Sequence, residues 1–139
     1  MSRSFSFGLL TFGLLASGCH WEAVAYQPQP ALVVNPASEI KALLKLRSYP
    51  ASVIEITDES IKEFYASAED AGMRVLPLVG TTFRIITRDD MYLVAAYDSD
   101  GMEIWGYRPA STDLPTSERM INALVALARR QPATQTVAR

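Results

Sequence analysis

The sequence predicts an α+β two-layer sandwich, in which a mainly antiparallel sheet of four to five strands carries helices on one face. Three observations lead to this class. Apolar residues near both ends of the domain recur at helical spacing. The middle of the chain instead contains short β-rich runs that are separated by turn residues. The chain has 139 residues. The roughly 120 residues that follow its apolar N-terminal run are enough for one domain with its own core.

The first predicted helix begins at Pro36 with Asn35 as its N-cap, because asparagine caps helices well and proline suits the first helical position. It ends at Tyr49 and Pro50, since proline cannot continue a helix. Residues 52–57 are rich in β-branched side chains, which predicts a short strand.

A second helix is predicted over residues 57–72. Thr57 is followed by two acidic residues, which the helix macrodipole favours in a first turn. Gly72 is a natural C-terminal stop. The predicted apolar stripe recurs at i, i+3, i+4 and i+7 and consists of Ile61, Phe64, Tyr65 and Ala68.

The remaining elements are four strands and a last helix. Residues 74–79 form a candidate strand, which Pro77 restricts to an edge. Three further strands are predicted over residues 83–88, 91–97 and 102–108, and the last helix over residues 116–131. The apolar face of that helix comprises Met120, Ile121, Leu124, Val125 and Ala128.

Short turns would pair Arg88 with Met91 and Tyr97 with Met102, which defines two sheet faces. One face carries Phe83, Ile85, Thr87, Tyr92, Val94, Ala96, Glu103, Trp105 and Tyr107. The other carries Arg84, Ile86, Arg88, Met91, Leu93, Ala95, Tyr97, Met102, Ile104, Gly106 and Arg108.

Neither face is polar, although antiparallel sheets usually have one polar face. Two interpretations follow. In the first, the register is wrong, or the tether and loops cover the second face. In the second, one face binds a partner. The arginine-bearing face suits a partner better, because arginine, methionine and tyrosine are enriched at interfaces. The candidate partner-binding residues are Arg84, Arg88, Met91, Tyr97, Met102 and Arg108.

The N-terminus has the layout of an exported protein. Arg3 precedes an apolar run over residues 5–16, which is too short to span a bilayer. The run ends in Ala16, Ser17, Gly18 and Cys19, and this tetrapeptide resembles the lipobox of bacterial lipoproteins. Ordinary secretion and a retained anchor are the alternatives. The resemblance implies cleavage before Cys19 and acylation of this residue, which would anchor the chain firmly in a membrane.

The resemblance also implies a division of the chain and a location. Residues 1–18 would be a signal peptide, 19–34 the lipidated cysteine and a tether, 35–131 a single domain and 132–139 a polar tail. Lipoprotein sorting retains many proteins in the inner membrane when aspartate follows the cysteine. Because His20 stands there, we expect the outer membrane, with the domain facing the periplasm.

The sequence contains no convincing catalytic constellation. His20 is the only histidine and lies beside the anchor, which argues against Ser-His-Asp or Cys-His chemistry and leaves too few zinc ligands. We therefore expect no catalytic residue, metal or cofactor. The net charge of −2 and the interspersed charges argue against a nucleic-acid partner.

Three functions remain open. A non-catalytic lipoprotein could dock on a membrane-associated protein complex. A periplasmic ligand- or cell-wall-binding module could stack Trp105 and Tyr107 on a sugar. A hydrolase could use the adjacent carboxylates Asp89 and Asp90, although their spacing is first that of a hairpin turn.

Overall fold

The computed structural model describes residues 20–66 and 72–129, and these form an α+β sandwich as predicted. The elements are β1 (Glu22–Ala23), a 3₁₀ turn (Pro30–Leu32), α1 (Pro36–Leu44), β2 (Val53–Ile56), β3 (Ser60–Tyr65), β4 (Gly72–Pro77), β5 (Thr82–Arg88), β6 (Met91–Tyr97), β7 (Glu103–Tyr107) and α2 (Leu114–Ala128). The strands pair antiparallel in a four-stranded sheet, ordered β1-β5-β6-β7, and a three-stranded sheet, ordered β2-β3-β4. The expected strands are therefore divided between two sheets.

Both helices begin with a side-chain cap. Asn35 Oδ1 accepts the Ser38 amide at 3.1 Å, as its position in the sequence predicts. Asp113 Oδ1 accepts the Thr116 amide at 2.7 Å, so α2 begins slightly before the predicted start. Helix α1 ends earlier than predicted because Arg47 leaves the helical path and forms an isolated β-bridge with Pro109.

The predicted second helix is wrong, because residues 60–65 form strand β3 in the centre of the three-stranded sheet. Thr57 Oγ1 accepts the amides of Glu59 and Ser60, each at 3.1 Å. The same side-chain chemistry that caps a helix therefore closes a hairpin turn here. The strand pattern, in which Ile61, Glu63 and Tyr65 lie on one face, was not recognised because Glu63 is charged.

The hairpins of the four-stranded sheet explain its two faces. Arg88 pairs with Met91 as predicted, and the turn between them places Asp89 and Asp90 at φ of 51° and 68°. Tyr97 pairs with Glu103 rather than Met102, and a bulge in β7 then shifts the register by one further residue. Beyond the bulge Val94 pairs with Tyr107 rather than Trp105. This two-residue difference keeps Trp105 and Tyr107 on the predicted face.

One hydrophobic core holds the two sheets and both helices together. The face of the four-stranded sheet that carries Ile85, Val94 and Tyr107 packs against α1, α2 and the inner face of the three-stranded sheet. Leu124 on α2 is fully buried in this core. A second, smaller cluster lies on the opposite face of the four-stranded sheet and consists of Ile86, Leu93 and Ala95, with Trp21 and Tyr97 packed against them.

The segment over residues 20–34, which was expected to be a tether, is packed on the domain. The Val24 amide donates to the Ile85 carbonyl at 2.8 Å, which extends the pairing of β1 with β5. The Gln29 amide and the Tyr26 hydroxyl both donate to Asn122 Oδ1, at 2.7 and 3.2 Å. The proline-rich stretch is therefore tied down by specific hydrogen bonds that its composition does not reveal.

Several predictions concern residues outside the described part of the chain. These are the signal peptide over residues 1–18, the lipidated Cys19, Ala68 of the predicted stripe and the polar tail over residues 132–139. Within residues 20–66 and 72–129, no helix combines the length and apolar character needed to cross a membrane.

Candidate functional site

Four of the six candidate partner-binding residues, Arg84, Arg88, Met91 and Tyr97, lie on the side of the four-stranded sheet that faces away from the helices. We call this side, which includes Trp21 and the strand positions of Arg84, Ile86, Arg88, Leu93 and Ala95, the outer face. Met91 and Tyr97 are half-buried on it, and Arg84 is exposed. Met102 and Arg108 flank β7 at its two ends and are also exposed.

The arginines of the outer face pack over neighbouring side chains. The Arg84 guanidinium lies 5.1 Å from the centre of the Tyr97 ring, and that of Arg88 lies 4.7 Å from the Trp21 ring. Arg108 Nη2 lies 3.6 Å from Met91 Sδ. Such stacking holds each guanidinium while its stem covers apolar surface. The outer face therefore presents ordered positive groups over a partly apolar base.

The outer face also carries carboxylates. Glu103 pairs with Tyr97 beside the bulge in β7, and its Oε2 lies 3.9 Å from the position that a Cβ on Gly106 would take. Gly106 pairs with Ala95, which pairs with Arg84, so this carboxylate shares a cross-strand row with Arg84. Asp89 Oδ2, in the turn at one end of the face, lies 3.9 Å from Arg88 Nε. The arginines of the outer face therefore have acidic neighbours on the same face.

The segment over residues 20–34, which we call the leader segment, covers part of the outer face. Trp21 packs on Ile86, Leu93 and Ala95, so the chain itself shields the most buried apolar residues there. Met102 remains 65% exposed, and Ile104 is also exposed. The interpretation that the tether covers the second face is therefore confirmed in part, since the leader segment covers one end and leaves apolar surface exposed at the other. Binding of a partner by this face stays a prediction.

A buried polar cluster lies between the two sheets, on the inner side. Glu63 on β3 is fully buried, and its Oε2 lies 3.2 Å from Arg47 Nε. Trp105 Nε1 donates to Glu63 Oε1 at 3.2 Å, and the Tyr65 hydroxyl donates to Oε2 at 3.2 Å. Arg47 Nη2 donates to the Gly106 carbonyl at 3.0 Å. The buried carboxylate therefore has a cation and two neutral donors as partners.

The aromatic residues of this cluster hold the arginine in place. The Arg47 guanidinium lies 5.3 Å from the Trp105 ring centre and 5.5 Å from that of Tyr107. Burial, followed by the nearby Glu63 carboxylate, raises the pKa of Tyr65, so its hydroxyl remains a donor at neutral pH. Burial likewise raises the pKa of Tyr107 to about 12.

The sugar-stacking role considered for Trp105 and Tyr107 does not fit these positions. Trp105 is 7% exposed and Tyr107 is fully buried, with its hydroxyl donating to the Leu43 carbonyl at 2.7 Å. A sugar needs an accessible ring face, and these rings pack in the core and against Arg47. Their role is structural, since they stack on each other and position the arginine.

The carboxylates considered for hydrolysis lie at the tip of a hairpin. Asp89 and Asp90 are both exposed there, and each occupies a left-handed turn conformation. Across residues 20–66 and 72–129, His, Cys, Asp and Glu side chains form no group of three or more that could hold a metal ion.

A cleft of about 780 Å³ opens beside the buried cluster. Its walls come from the β3–β4 hairpin, the chain after α1 and the chain after β7. Among the residues of ranges 20–66 and 72–129 that line it, three are arginines and none is an aspartate or glutamate. The lining comprises Arg47, Ser48, Tyr49, Tyr65, Gly72, Met73, Arg74, Arg108, Pro109, Ala110 and Thr112.

Sequence reasoning missed four residues of these sites: Trp21, Arg47, Glu63 and Arg74. Glu63 was placed on a helix because its strand alternation places a charge where an apolar residue is usual. Arg47 and Glu63 are 16 positions apart, so no local pattern links them. Trp21 was assigned to the tether, although an aromatic residue before a proline-rich stretch is a signal that could have indicated packing.

Comparison with protein-family models, with curated proteins and with solved structures finds no match to this chain.

Proposed function

We propose that this chain is a lipid-anchored lipoprotein of the bacterial outer membrane that faces the periplasm and acts as a non-catalytic docking or accessory subunit of a membrane-associated complex. Its outer face would bind an acidic surface of a protein partner. The observation that carries this proposal is that Arg84 and Arg88 both lie over aromatic rings on a sheet face that points away from the helices.

The chemistry of the outer face supports a protein partner with exposed carboxylates. An arginine held over an aromatic ring loses little freedom on binding, and its planar fork matches a carboxylate in a bidentate contact. Met102 and Ile104 supply exposed apolar surface beside these groups. A mixture of arginine, methionine and aromatic side chains is typical of interface centres.

The covalent distance to the proposed anchor supports a partner at the membrane. Consecutive Cα atoms are about 3.8 Å apart, so the Cα of Cys19 lies within about 8 Å of that of Trp21. Trp21 belongs to the outer face and contacts Arg88. A lipid on Cys19 would therefore hold this end of the outer face close to the bilayer surface, where a membrane-associated complex is within reach.

Charge reversal tests this proposal. The variant Arg84→Glu/Arg88→Glu should reduce recovery of the native partner about tenfold or more when the lipidated chain is purified from its own membrane, because each lost contact is a charge-assisted hydrogen bond. Lys41→Glu/Lys45→Glu changes the same amount of charge on the exposed side of α1 and its C-terminal end, and should leave recovery unchanged. Circular dichroism checks that both variants are folded.

Two outcomes would contradict the proposal. Undiminished recovery of every native partner with the arginine variant would exclude the outer face as the docking surface. Loss of binding to vesicles of phosphatidylglycerol, with protein recovery intact, would instead assign the arginines to anionic lipid.

A further inference from the structure

We infer that the cleft lined by Arg47, Arg74 and Arg108 binds a phosphate group carried by a larger molecule. This inference does not rest on the docking proposal: the two surfaces share Arg108, but neither Arg84 nor Arg88 lines the cleft.

The two exposed arginines reach the cleft from different sheets. Arg74 belongs to β4 of the three-stranded sheet, and Arg108 directly follows β7 of the four-stranded sheet. A planar carboxylate presents its two oxygens to one guanidinium in a single plane. A tetrahedral phosphate has oxygens that point in several directions, and so it can accept hydrogen bonds from both walls. The placement of these arginines therefore favours phosphate.

The third arginine is fixed before any ligand binds. The Arg47 side chain is 10% exposed, and it is held by Glu63, by the Gly106 carbonyl and by two aromatic rings. Glu63 balances its charge, so the positive charge of the described lining residues comes from Arg74 and Arg108. Arg47 contributes a rigid polar surface whose orientation costs no further entropy on binding.

Arg74 is also ordered. Its guanidinium lies 5.5 Å from the centre of the Tyr65 ring, and the Tyr65 hydroxyl is itself bonded to Glu63. The buried cluster thus extends through Tyr65 to the wall of the cleft. Arg47 and Arg74 are therefore both held by contacts within the protein before any ligand binds, and preorganised donors of this kind favour an oxyanion.

The size of the cleft indicates that the phosphate belongs to a larger molecule. Sites for small molecules occupy about 300–1,000 Å³, and about 780 Å³ far exceeds the volume of one phosphate ion. Tyr49 and Met73 are exposed on the lining, where they can contact an organic body. The ligand class is therefore a phosphate monoester, either soluble or in a lipid headgroup.

The test uses the full chain as its host processes it, in nonionic detergent, titrated with inorganic phosphate and with glycerol 3-phosphate at constant ionic strength. Calorimetry gives the affinity, and the arginine Nε–H signals in ¹H–¹⁵N spectra locate the site. We expect saturable shifts of the Arg74 and Arg108 signals. Arg74→Gln should weaken binding about tenfold or more, because it removes a charged donor but keeps an amide.

Arg84→Gln is the matched control, since it removes an exposed arginine that also lies over a tyrosine ring but outside the cleft. Its affinity for both probes should equal that of the unaltered chain. A second arm uses phosphatidic acid in phosphatidylcholine nanodiscs. Binding of glycerol 3-phosphate identifies a soluble source, and binding of phosphatidic acid alone identifies a lipid headgroup.

The inference is overturned if neither probe nor phosphatidic acid shifts the Arg74 signal, or if Arg84→Gln weakens binding as much as Arg74→Gln. Loss of phosphate binding in Arg74→Gln with partner recovery intact would support the cleft and leave the docking proposal to its own test.

Discussion

Trp105 Nε1 on β7 donates to Glu63 Oε1 on β3 at 3.2 Å, and this hydrogen bond joins two sheets that share no strand. The same carboxylate pairs with Arg47, which follows α1. One buried charge therefore connects three parts of the chain. Because every partner comes from a different element, the cluster fixes how the three-stranded sheet is oriented on the rest of the domain.

Removing the Glu63 carboxylate should destabilise the fold strongly. Glu63→Ala leaves the Arg47 charge without its buried partner and the Trp105 indole without an acceptor, which costs about 3–5 kcal/mol for a buried pair. Urea unfolding measures this loss. Glu55→Ala, on the exposed side of adjacent strand β2, is the control and should change the free energy of unfolding by less than about 0.5 kcal/mol. Equal effects of the two substitutions would mean that the cluster contributes nothing.

Alkaline pH should destabilise the protein through Tyr107. Burial raises the pKa of its hydroxyl to about 12 in the folded state, whereas an unfolded chain has a value near 10. The unfolded state therefore releases this proton first, and the stability present below pH 10 or so is lost as the pH rises towards about 12, by up to roughly 3 kcal/mol.

Tyr107→Phe separates this effect from other alkaline titrations. It removes the titrating hydroxyl and the bond to the Leu43 carbonyl, so stability at pH 7 should fall by about 1–3 kcal/mol and the loss above pH 10 or so should become shallower. Tyr49→Phe alters a tyrosine that is exposed and should preserve the alkaline slope. An unchanged slope in Tyr107→Phe would assign the alkaline loss to other groups.

The parts of the fold that local chemistry determines were predicted well. The cap at Asn35, the hairpin at Arg88 and Met91, and strand β6 all depend on residues close in sequence. The division into two faces was also predictable, because a register difference of two residues preserves side-chain alternation. These features were therefore predicted correctly although the register between β6 and β7 was not.

The parts that distant contacts determine were not predicted. Residues 60–65 fit helical and strand periods equally, and their choice depends on Arg47 pairing with Glu63 across the fold. The packing of the leader depends on Asn122, a polar residue on the last helix that no apolar pattern includes. The cleft was likewise not predicted, since Arg74 and Arg108 line it together only through the arrangement of the two sheets.

Helix α2 should contribute much of the core energy through Leu124. The side chain is fully buried, so Leu124→Ala should lower the free energy of unfolding by about 2–5 kcal/mol, the transfer and cavity cost of a core leucine. Leu32→Ala, at a leucine that is 69% exposed, serves as the control and should have a far smaller effect. A midpoint for Leu124→Ala that matches the control would contradict a closing role for this helix.

The proposed anchor predicts a modified mature N-terminus. Mass spectrometry should find acylated Cys19 as the first residue, and Cys19→Ser should yield an unprocessed or soluble chain, because the thiol that accepts the lipid is absent. Density-gradient fractionation should recover the native protein with outer-membrane markers. An unmodified N-terminus would reject the anchor, and recovery with inner-membrane markers would reject the location.

Asn122 should control whether the leader stays packed on the domain. Its Oδ1 accepts the Gln29 amide at 2.7 Å and the Tyr26 hydroxyl at 3.2 Å, so Asn122→Ala leaves two donors without their acceptor and should cost about 1–3 kcal/mol. Hydrogen exchange should accelerate at the Gln29 amide, while the centre of β6 remains protected. Gln27→Ala, at an exposed position, should preserve exchange at Gln29. If Asn122→Ala leaves this exchange rate unchanged, the leader is held mainly by Trp21 on the outer face, and Trp21→Ala should then release it.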